Sequence, residues 1–310
     1  MKKKVFIDGS AGTTGLRIRE RLAERSDIEV VVLADDVRKD VEARRAALNA
    51  ADVAFLCLPD TAAIEAVSLV DNPNTVIIDT STAHRTDDGW AYGFPELAGC
   101  REKIKNSKRI ANPGCHATGF ISLINPLVNA GVLDKKEKLA CFSITGYSGG
   151  GKKMIADYES QDRCQLLNAP RQYGLSQEHK HLPEMKAICG LENQPLFCPI
   201  VADFDRGMQV TVPIFASQLK ASVEDIKEIY RKAYNGKVVK FKDFADENGF
   251  LSAQSMRGRD DLEISVFGND ERIILVARFD NLGKGASGAA IQNMNILLGV
   301  EQTTGLILGE

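Results

Sequence analysis

The feature that most limits what this chain can fold into lies close to its start, where Val5-Phe6-Ile7-Asp8 runs into Gly9-Ser10-Ala11-Gly12-Thr13-Thr14-Gly15-Leu16. An apolar run, three glycines at three-residue spacing and then helical periodicity over Thr13 to Arg25 require a strand, a tight turn and a helix in that order. Glycine there lets the backbone turn sharply and approach a pyrophosphate, whose charge is met by the unpaired N–H groups of the helix N-terminus. A glycine loop after a first strand and before an amphipathic helix is the context that a dinucleotide fingerprint requires. Gly9, Ser10, Gly12, Thr13, Thr14 and Gly15 are therefore candidate cofactor contacts.

The rhythm continues. Glu29 to Ala34, Val53 to Leu58 and Thr75 to Asp79 are further β-branched or apolar runs, separated by helical patches at Val41 to Leu48 and Ala62 to Val70. A fifth strand near Arg109 ends at Asn112-Pro113-Gly114, and Cys115 to Asn129 follows as a helix. Strands alternating with crossovers predict a Rossmann-type, doubly wound parallel sheet over residues 1–114. The second strand ends at Asp35-Asp36, where an acid would bind a ribose 2′-OH and favour NAD. Arg38 and Lys39 follow at once and either can face a 2′-phosphate, so the residues alone leave the choice open.

Beyond this point the strands lengthen. Lys138 to Thr145, Gly207 to Leu219, Leu262 to Gly268 and Arg272 to Phe279 are strands, with a hairpin signal at Gly268-Asn269-Asp270 and one helix at Val223 to Tyr234. Residues 115–284 thus read as an α+β catalytic and oligomerisation domain built on a mixed sheet. The last helix, Ala286 to Leu298 within residues 285–310, is expected to return to the first domain. A chain of 310 residues exceeds what one core supports, which agrees with an α/β class in more than one domain.

Composition narrows the partners. Thirty-nine Lys and Arg against 42 Asp and Glu give a net charge of -3, so no basic stripe is expected for nucleic acid. No apolar run reaches the length of a membrane span, and the Lys2-Lys3-Lys4 start leads into an acid and a glycine rather than a signal peptide's apolar core. The seven cysteines are odd in number, scattered and without a CxxC pair, which predicts reduced thiols in the cytoplasm.

One cysteine has a reactive setting. Cys115 follows the Asn112-Pro113-Gly114 turn at a helix start, where the positive end of the dipole favours thiolate. The other six read as packing residues. A cysteine nucleophile needs an acid or base, and the four histidines are His84, His116, His179 and His181. Glu178-His179-Lys180-His181-Leu182-Pro183-Glu184, read as extended, places both imidazoles on one face; a third metal ligand is not evident, so no metal is expected. One of the pair then acts as acid/base with Glu184 orienting it, while His116 would point elsewhere on its helix. Gly146 to Lys152, with Ser148, Gly149 and Lys152, has the composition of an anion-binding loop, against a flexible loop as the plainer reading. Arg85 and Arg109 can each hold a carboxylate or phosphate or serve as structural ion pairs.

The glycine loop, the Pro-Gly-Cys turn and the His-Lys-His-x-Pro-Glu segment together resemble the short form of the N-acetyl-γ-glutamyl-phosphate reductase family, a relation of the aspartate-semialdehyde and glyceraldehyde-phosphate dehydrogenases. Similar stretches run through Cys57-Leu58-Pro59-Asp60, Ser81 to Arg85, Tyr92 to Leu97, Gly146 to Lys152 and Asp280 to Ala290. The resemblance implies reduction of N-acetyl-L-glutamyl 5-phosphate to the 5-semialdehyde by NADPH in arginine biosynthesis. It implies Cys115 as nucleophile, His181 as acid/base with His179 in reserve, Pro59, Asn281 and Gly283 beside the cofactor, and Arg85 and Asn112 beside the substrate. It also implies NADP, with Arg38 and Lys39 as counter-charges, and a homodimer or homotetramer. The competing readings are a related acyl-phosphate reductase such as aspartate-semialdehyde dehydrogenase, a non-catalytic nucleotide sensor, and a Cys-His hydrolase without nicotinamide.

Overall fold

The computed structural model describes residues 2–309, which divide into two compact units. The first comprises the chain up to Pro95, Gly99–Pro113 and Ala286–Leu306; the second comprises Glu96–Ala98, Gly114–Gly285 and the residues after Leu306.

In the first unit, strands β1 (Lys3–Asp8), β2 (Ile28–Val31), β3 (Val53–Leu56), β4 (Val76–Asp79), β5 (Ala91–Tyr92) and β6 (Arg109–Ala111) alternate with helices α1 (Thr13–Ala23), α2 (Val41–Ala50), α3 (Asp60–Ser68) and α4 (Cys100–Asn106). The sheet order is β2-β1-β3-β4-β6-β5 and every pair is parallel, the doubly wound arrangement expected. Because side chains alternate along a strand, Val5 and Ile7 of β1 enter one core with Ile18 and Leu22 of α1. Phe6 enters the other with Leu48 of α2 and Ala63 and Ala66 of α3. The last helix (Gly288–Leu298) adds Ala290, Ile291, Met294 and Ile296 to the α1 side. It begins two residues later than the periodicity suggests, because a π-helical turn occupies Gly283–Ser287. Strand β2 stops at Val31 rather than Ala34, and turns fill residues 35–39.

The second unit is built on α5 (Cys115–Asn129), β7 (Ala140–Gly146), α6 (Gly151–Glu159), β8 (Arg171–Gln172), α7 (Leu182–Cys189), β9 (Leu196–Ala202), β10 (Met208–Phe215), α8 (Val223–Ala233), β11 (Val239–Phe241), β12 (Leu262–Gly268) and β13 (Arg272–Phe279); the helix at Gly288–Leu298 is α9. Its sheet is mixed, in the order β11-β12-β13-β10-β7-β9-β8. The helices expected at Cys115 to Asn129 and Val223 to Tyr234 are α5 and α8; α6 and α7 are additional helices, and β8, β9 and β11 additional strands. Strand β9 carries Pro199, a residue that argues against a strand in sequence. Helix α7 has Pro183 in its first turn, where a missing N–H costs nothing, so the segment read as extended turns into a helix instead.

Helix α5 is buried along most of its length. Gly119 lets it lie against the sheet, since a Cβ there would come within 2.3 Å of Val210. Pro126 has no N–H for the Ser122 carbonyl, and the Tyr234 hydroxyl donates to that carbonyl at 2.8 Å instead. Tyr230 donates likewise to the Leu123 carbonyl at 2.6 Å.

Candidate active site

The first unit builds its site almost wholly from backbone. Gly9 has φ +83°, and a Cβ there would meet the Cys57 carbonyl oxygen at 2.3 Å, so only glycine fits where β1 ends beside β3. These neighbouring strands connect onward in opposite directions, which makes this edge the topological switch point where open α/β sheets bind ligands. The Gly12 amide donates to the Gly9 carbonyl at 3.0 Å, and a Cβ on Gly15 would lie 2.5 Å from that same oxygen. Gly12 caps α1 without a side-chain partner, so the first-turn amides, those of Thr13 and Thr14 among them, have no acceptor within the helix. Arg38 and Lys39 line a cavity of about 190 Å³ with Gly9, Ser10, Leu33 and Leu58, while Asp35 points to solvent and meets Arg38 only at 3.4 Å. Pro59 caps α3 just beyond Leu58. A cradle that a Cβ would fill, open amides and two cations fit a dinucleotide.

Two expected substrate contacts of this unit are engaged internally. Arg85 is buried and donates to the Asn112 carbonyl at 3.0 Å and the Thr80 carbonyl at 3.0 Å. The Asn112 amide donates to the Ala286 carbonyl at 3.1 Å and accepts from Asn293 at 3.3 Å. Arg109 donates to the carbonyls of Thr75 and Lys108, both at 3.1 Å. His84 bonds to Asp79 at 2.7 Å and stacks on Trp90.

The second unit builds its site from side chains that meet from distant segments. Cys115 is the first residue of α5, half-buried, with Gly114 as N-cap. A Cβ on Gly285 would stand 3.0 Å from the Cys115 Cβ, which explains one glycine of the run before α9. Glu184, in the first turn of α7, accepts the Gly114 amide at 2.9 Å and so ties that helix to the one bearing the thiol. His181 caps α7. The His179 and His181 rings meet edge to face at 4.8 Å, and the His181 backbone amide donates to His179 Nδ1 at 3.2 Å. Burial, and then the charge of Lys180, lower the His179 pKa to about 4, so its ring is neutral and its one proton sits on Nε2.

His116, set aside in sequence as facing away, joins this cluster with its ring centroid 5.5 Å from those of both His179 and His181. It bonds to Ser143 and to Tyr173, each at 2.7 Å. Neither Ser143 nor Tyr173 carried any sequence signal, because both arrive from other segments of the chain. Among the remaining thiols, burial pushes Cys57 up to about 12 and raises Cys141 and Cys189, as packing residues should be. Cys164 is the exception: it is exposed and packs no core.

The segment from Gly146 is not a loose loop. The amides of Gly146, Tyr147 and Ser148 donate to carbonyls of Gly207, Phe204 and Asp205, and the chain passes through a 3-10 turn straight into α6. That removes three of the expected anion donors. Gly149 and Lys152 remain exposed at the helix start. Asn281 braces the same segment, accepting the Gly207 amide at 3.0 Å and donating to the Ser148 hydroxyl at 3.1 Å. Gly283 packs on the Arg259 carbonyl. Among the described residues no group of three or more His, Cys, Asp or Glu is arranged to hold a metal ion, and no helix is long and apolar enough to cross a membrane.

A nucleotide cradle at a parallel-sheet switch point, with a helix-start thiol and histidines elsewhere in the chain, defines a nicotinamide-dependent oxidoreductase that works through cysteine. Residues 4–107 match the model of the semialdehyde dehydrogenase NAD-binding domain, and residues 115–281 that of the semialdehyde dehydrogenase dimerisation domain. Aspartate semialdehyde dehydrogenase II of Vibrio cholerae superposes with a TM-score of 0.73 over 96% of this chain and 99% of its own, at 16% identity, a likeness of fold. The enzyme of Francisella tularensis gives 0.70 at the same 16%, over 96% of this chain and 100% of its own. The chain is 47% identical to N-acetyl-gamma-glutamyl-phosphate reductase 2 of a Nostoc species over 98% of its length and 99% of that protein. It is 46% identical to the N-acetyl-gamma-glutamyl-phosphate reductase of Brucella ovis over 96% and 100%. It belongs to the N-acetyl-γ-glutamyl-phosphate reductase family.

Proposed function

We propose that the chain reduces N-acetyl-L-glutamyl 5-phosphate to N-acetyl-L-glutamate 5-semialdehyde with NADPH, releasing phosphate, as a step of arginine biosynthesis. The observation that carries this reading is the Cys115 thiol at the N-terminus of α5 in the same unit as the His179–His181 pair. The thiolate attacks the acyl phosphate, the C–O bond to phosphate breaks, and the acyl group stays on Cys115 as a thioester. Reduced nicotinamide, when bound, supplies the hydride that takes the thioester to a thiohemiacetal. His181 protonates the thiohemiacetal oxygen as it forms and takes that proton back as the C–S bond breaks, which frees the aldehyde and the thiolate. His179 is poorly suited to accept a proton, because its Nδ1 lone pair is used by the His181 amide and its Nε2 already carries hydrogen. Ser148, Gly149, Lys152, Arg85 and Asn112 remain candidate substrate contacts, with the exposed Lys152 the best placed for an anion.

The 2′-phosphate of NADPH falls to Arg38 and Lys39, which line the cavity at the glycine loop while Asp35 faces solvent. A homodimer is the smallest assembly we infer. Phe142, Phe215 and Ile274 stand 43%, 62% and 41% exposed on the outer face of the second unit's sheet, an apolar surface that suits self-association. The free cysteines suit a cytoplasmic setting. The test is an NADP-linked assay with phosphate and either N-acetylglutamate semialdehyde or aspartate semialdehyde. Preference for the acetylated aldehyde is expected, and preference for aspartate semialdehyde would overturn the assignment.

A further inference from the structure

Ser143 lies in β7 with no exposure to solvent, and among the described residues its hydroxyl has one hydrogen-bond partner, His116 Nδ1 at 2.7 Å. A buried hydroxyl left undonated is a desolvated donor, so the Ser143 hydrogen goes to Nδ1, and Nδ1 is then the bare nitrogen. Burial first, and then the neighbouring His179 and Lys180, hold His116 neutral with its pKa near 3. A neutral imidazole has a single N–H, which here must be on Nε2 and is donated to the Tyr173 hydroxyl oxygen at 2.7 Å. The hydrogen of Tyr173 itself is left without an acceptor among the described residues, on a half-buried side chain. Tyr173 is thereby bonded to the residue that follows Cys115 at the start of α5, and burial, then the charge of Cys115, raise its pKa.

We propose that Ser143 and His116 are positioning residues: a one-way hydrogen-bond chain that keeps the Tyr173 hydroxyl hydrogen available to an oxygen of the acyl group carried by Cys115. Direction is the point of the chain. In the opposite tautomer Tyr173 would donate to His116 Nε2 and present only lone pairs to an oxygen gaining negative charge, which would repel it. The inference rests on Cys115 as the nucleophile, and the experiment separates the two.

Nitrogen-15 NMR of the histidine-labelled wild-type protein should show His116 with a bare Nδ1 and a protonated Nε2 on both sides of neutrality. The reverse tautomer overturns the proposal without any variant. Ser143→Ala should lower kcat about tenfold to a hundredfold with KM for NADPH unchanged, and Ser143→Thr should recover most of it. Full kcat in Ser143→Ala overturns the chain. Iodoacetamide should label Cys115 ahead of the other thiols in the wild type and equally in Ser143→Ala. If the wild type shows no such preference, the Cys115 reading falls first and the chain falls with it.

Discussion

The two units make their sites in opposite ways. The first uses mainly backbone: positive φ at Gly9, close approach at Gly9 and Gly15, and the Gly12 amide bonded to the Gly9 carbonyl shape the cradle. The second uses side chains from residues 115, 116, 143, 173, 179, 181 and 184, drawn from two helices, a strand and the loop between β8 and α7. A backbone site is specified by a few adjacent residues and breaks when one gains a Cβ. A side-chain site is specified by the fold as a whole and breaks one role at a time. Variants should therefore fail differently in the two units.

The largest effect is expected at Cys115. Cys115→Ala should lower turnover about 10⁴-fold or more, because the reaction then lacks its covalent step. NADPH binding, followed by fluorescence titration, should survive. Retention of more than a small fraction of turnover would remove Cys115 from the mechanism. Next comes the acid/base. His181→Asn should cost about 10²- to 10⁴-fold in kcat, and His179→Asn less, since His179 is held as an Nε2–H donor. The reverse order of kcat values would move the role to His179.

A backbone variant should show the complementary pattern. Gly9→Ala puts a methyl 2.3 Å from the Cys57 carbonyl at φ +83°, strain of about 1–3 kcal/mol before any ligand is considered. NADPH affinity should drop by at least about tenfold while iodoacetamide still prefers Cys115. Equal loss of both would mean that the two sites are not built independently.

How much of this was legible in sequence follows the same division. The glycine loop announced itself because much of the need for glycine is local: the φ of Gly9, and the Gly9 carbonyl that excludes a Cβ from Gly15, both belong to one strand–turn–helix unit. Cys115 announced itself because the turn before it and the helix after it are adjacent in sequence. His116 did not, since its neighbours at 143, 173, 179 and 197 are brought to it only by tertiary packing. Strand β9 was hidden by Pro199 and helix α7 by the histidines that precede it, cases where packing overrides local preference. The Gly146 loop looked rich in free amides, and its amides are spent on the 204–207 segment, a partner no local pattern reveals.

The histidines of the second unit, His116 buried and His179 half-buried, also separate the units by pH. His116 and His179 have native pKa values near 3 and 4 against an ordinary 6.5, so below that value the unfolded chain takes up protons that the folded one refuses. Holding them neutral costs nothing above about pH 6.5 and opposes folding increasingly as pH falls toward 4, so stability declines over that window. Thermal melts should show a lower Tm from pH 6.5 downward, and His116→Asn should flatten the decline. A slope unchanged in that variant would place the acid sensitivity elsewhere.

The smallest effect should be at the cofactor's charged end, where the first unit does rely on side chains. Arg38 and Lys39 line the cavity beside Gly9 and Ser10, and Arg38 is only loosely paired to the exposed Asp35. A charge-assisted hydrogen bond to a phosphate is worth about 1.5–3 kcal/mol when desolvated, and less at a partly exposed residue. Arg38→Gln should therefore raise KM for NADPH roughly tenfold and leave KM for NADH nearly unchanged, since NADH has no group there for the cation to meet. Were both to rise together, Arg38 would be supporting the loop rather than reading the phosphate. Were neither to move, Lys39 would carry the contact, and the double variant would show it.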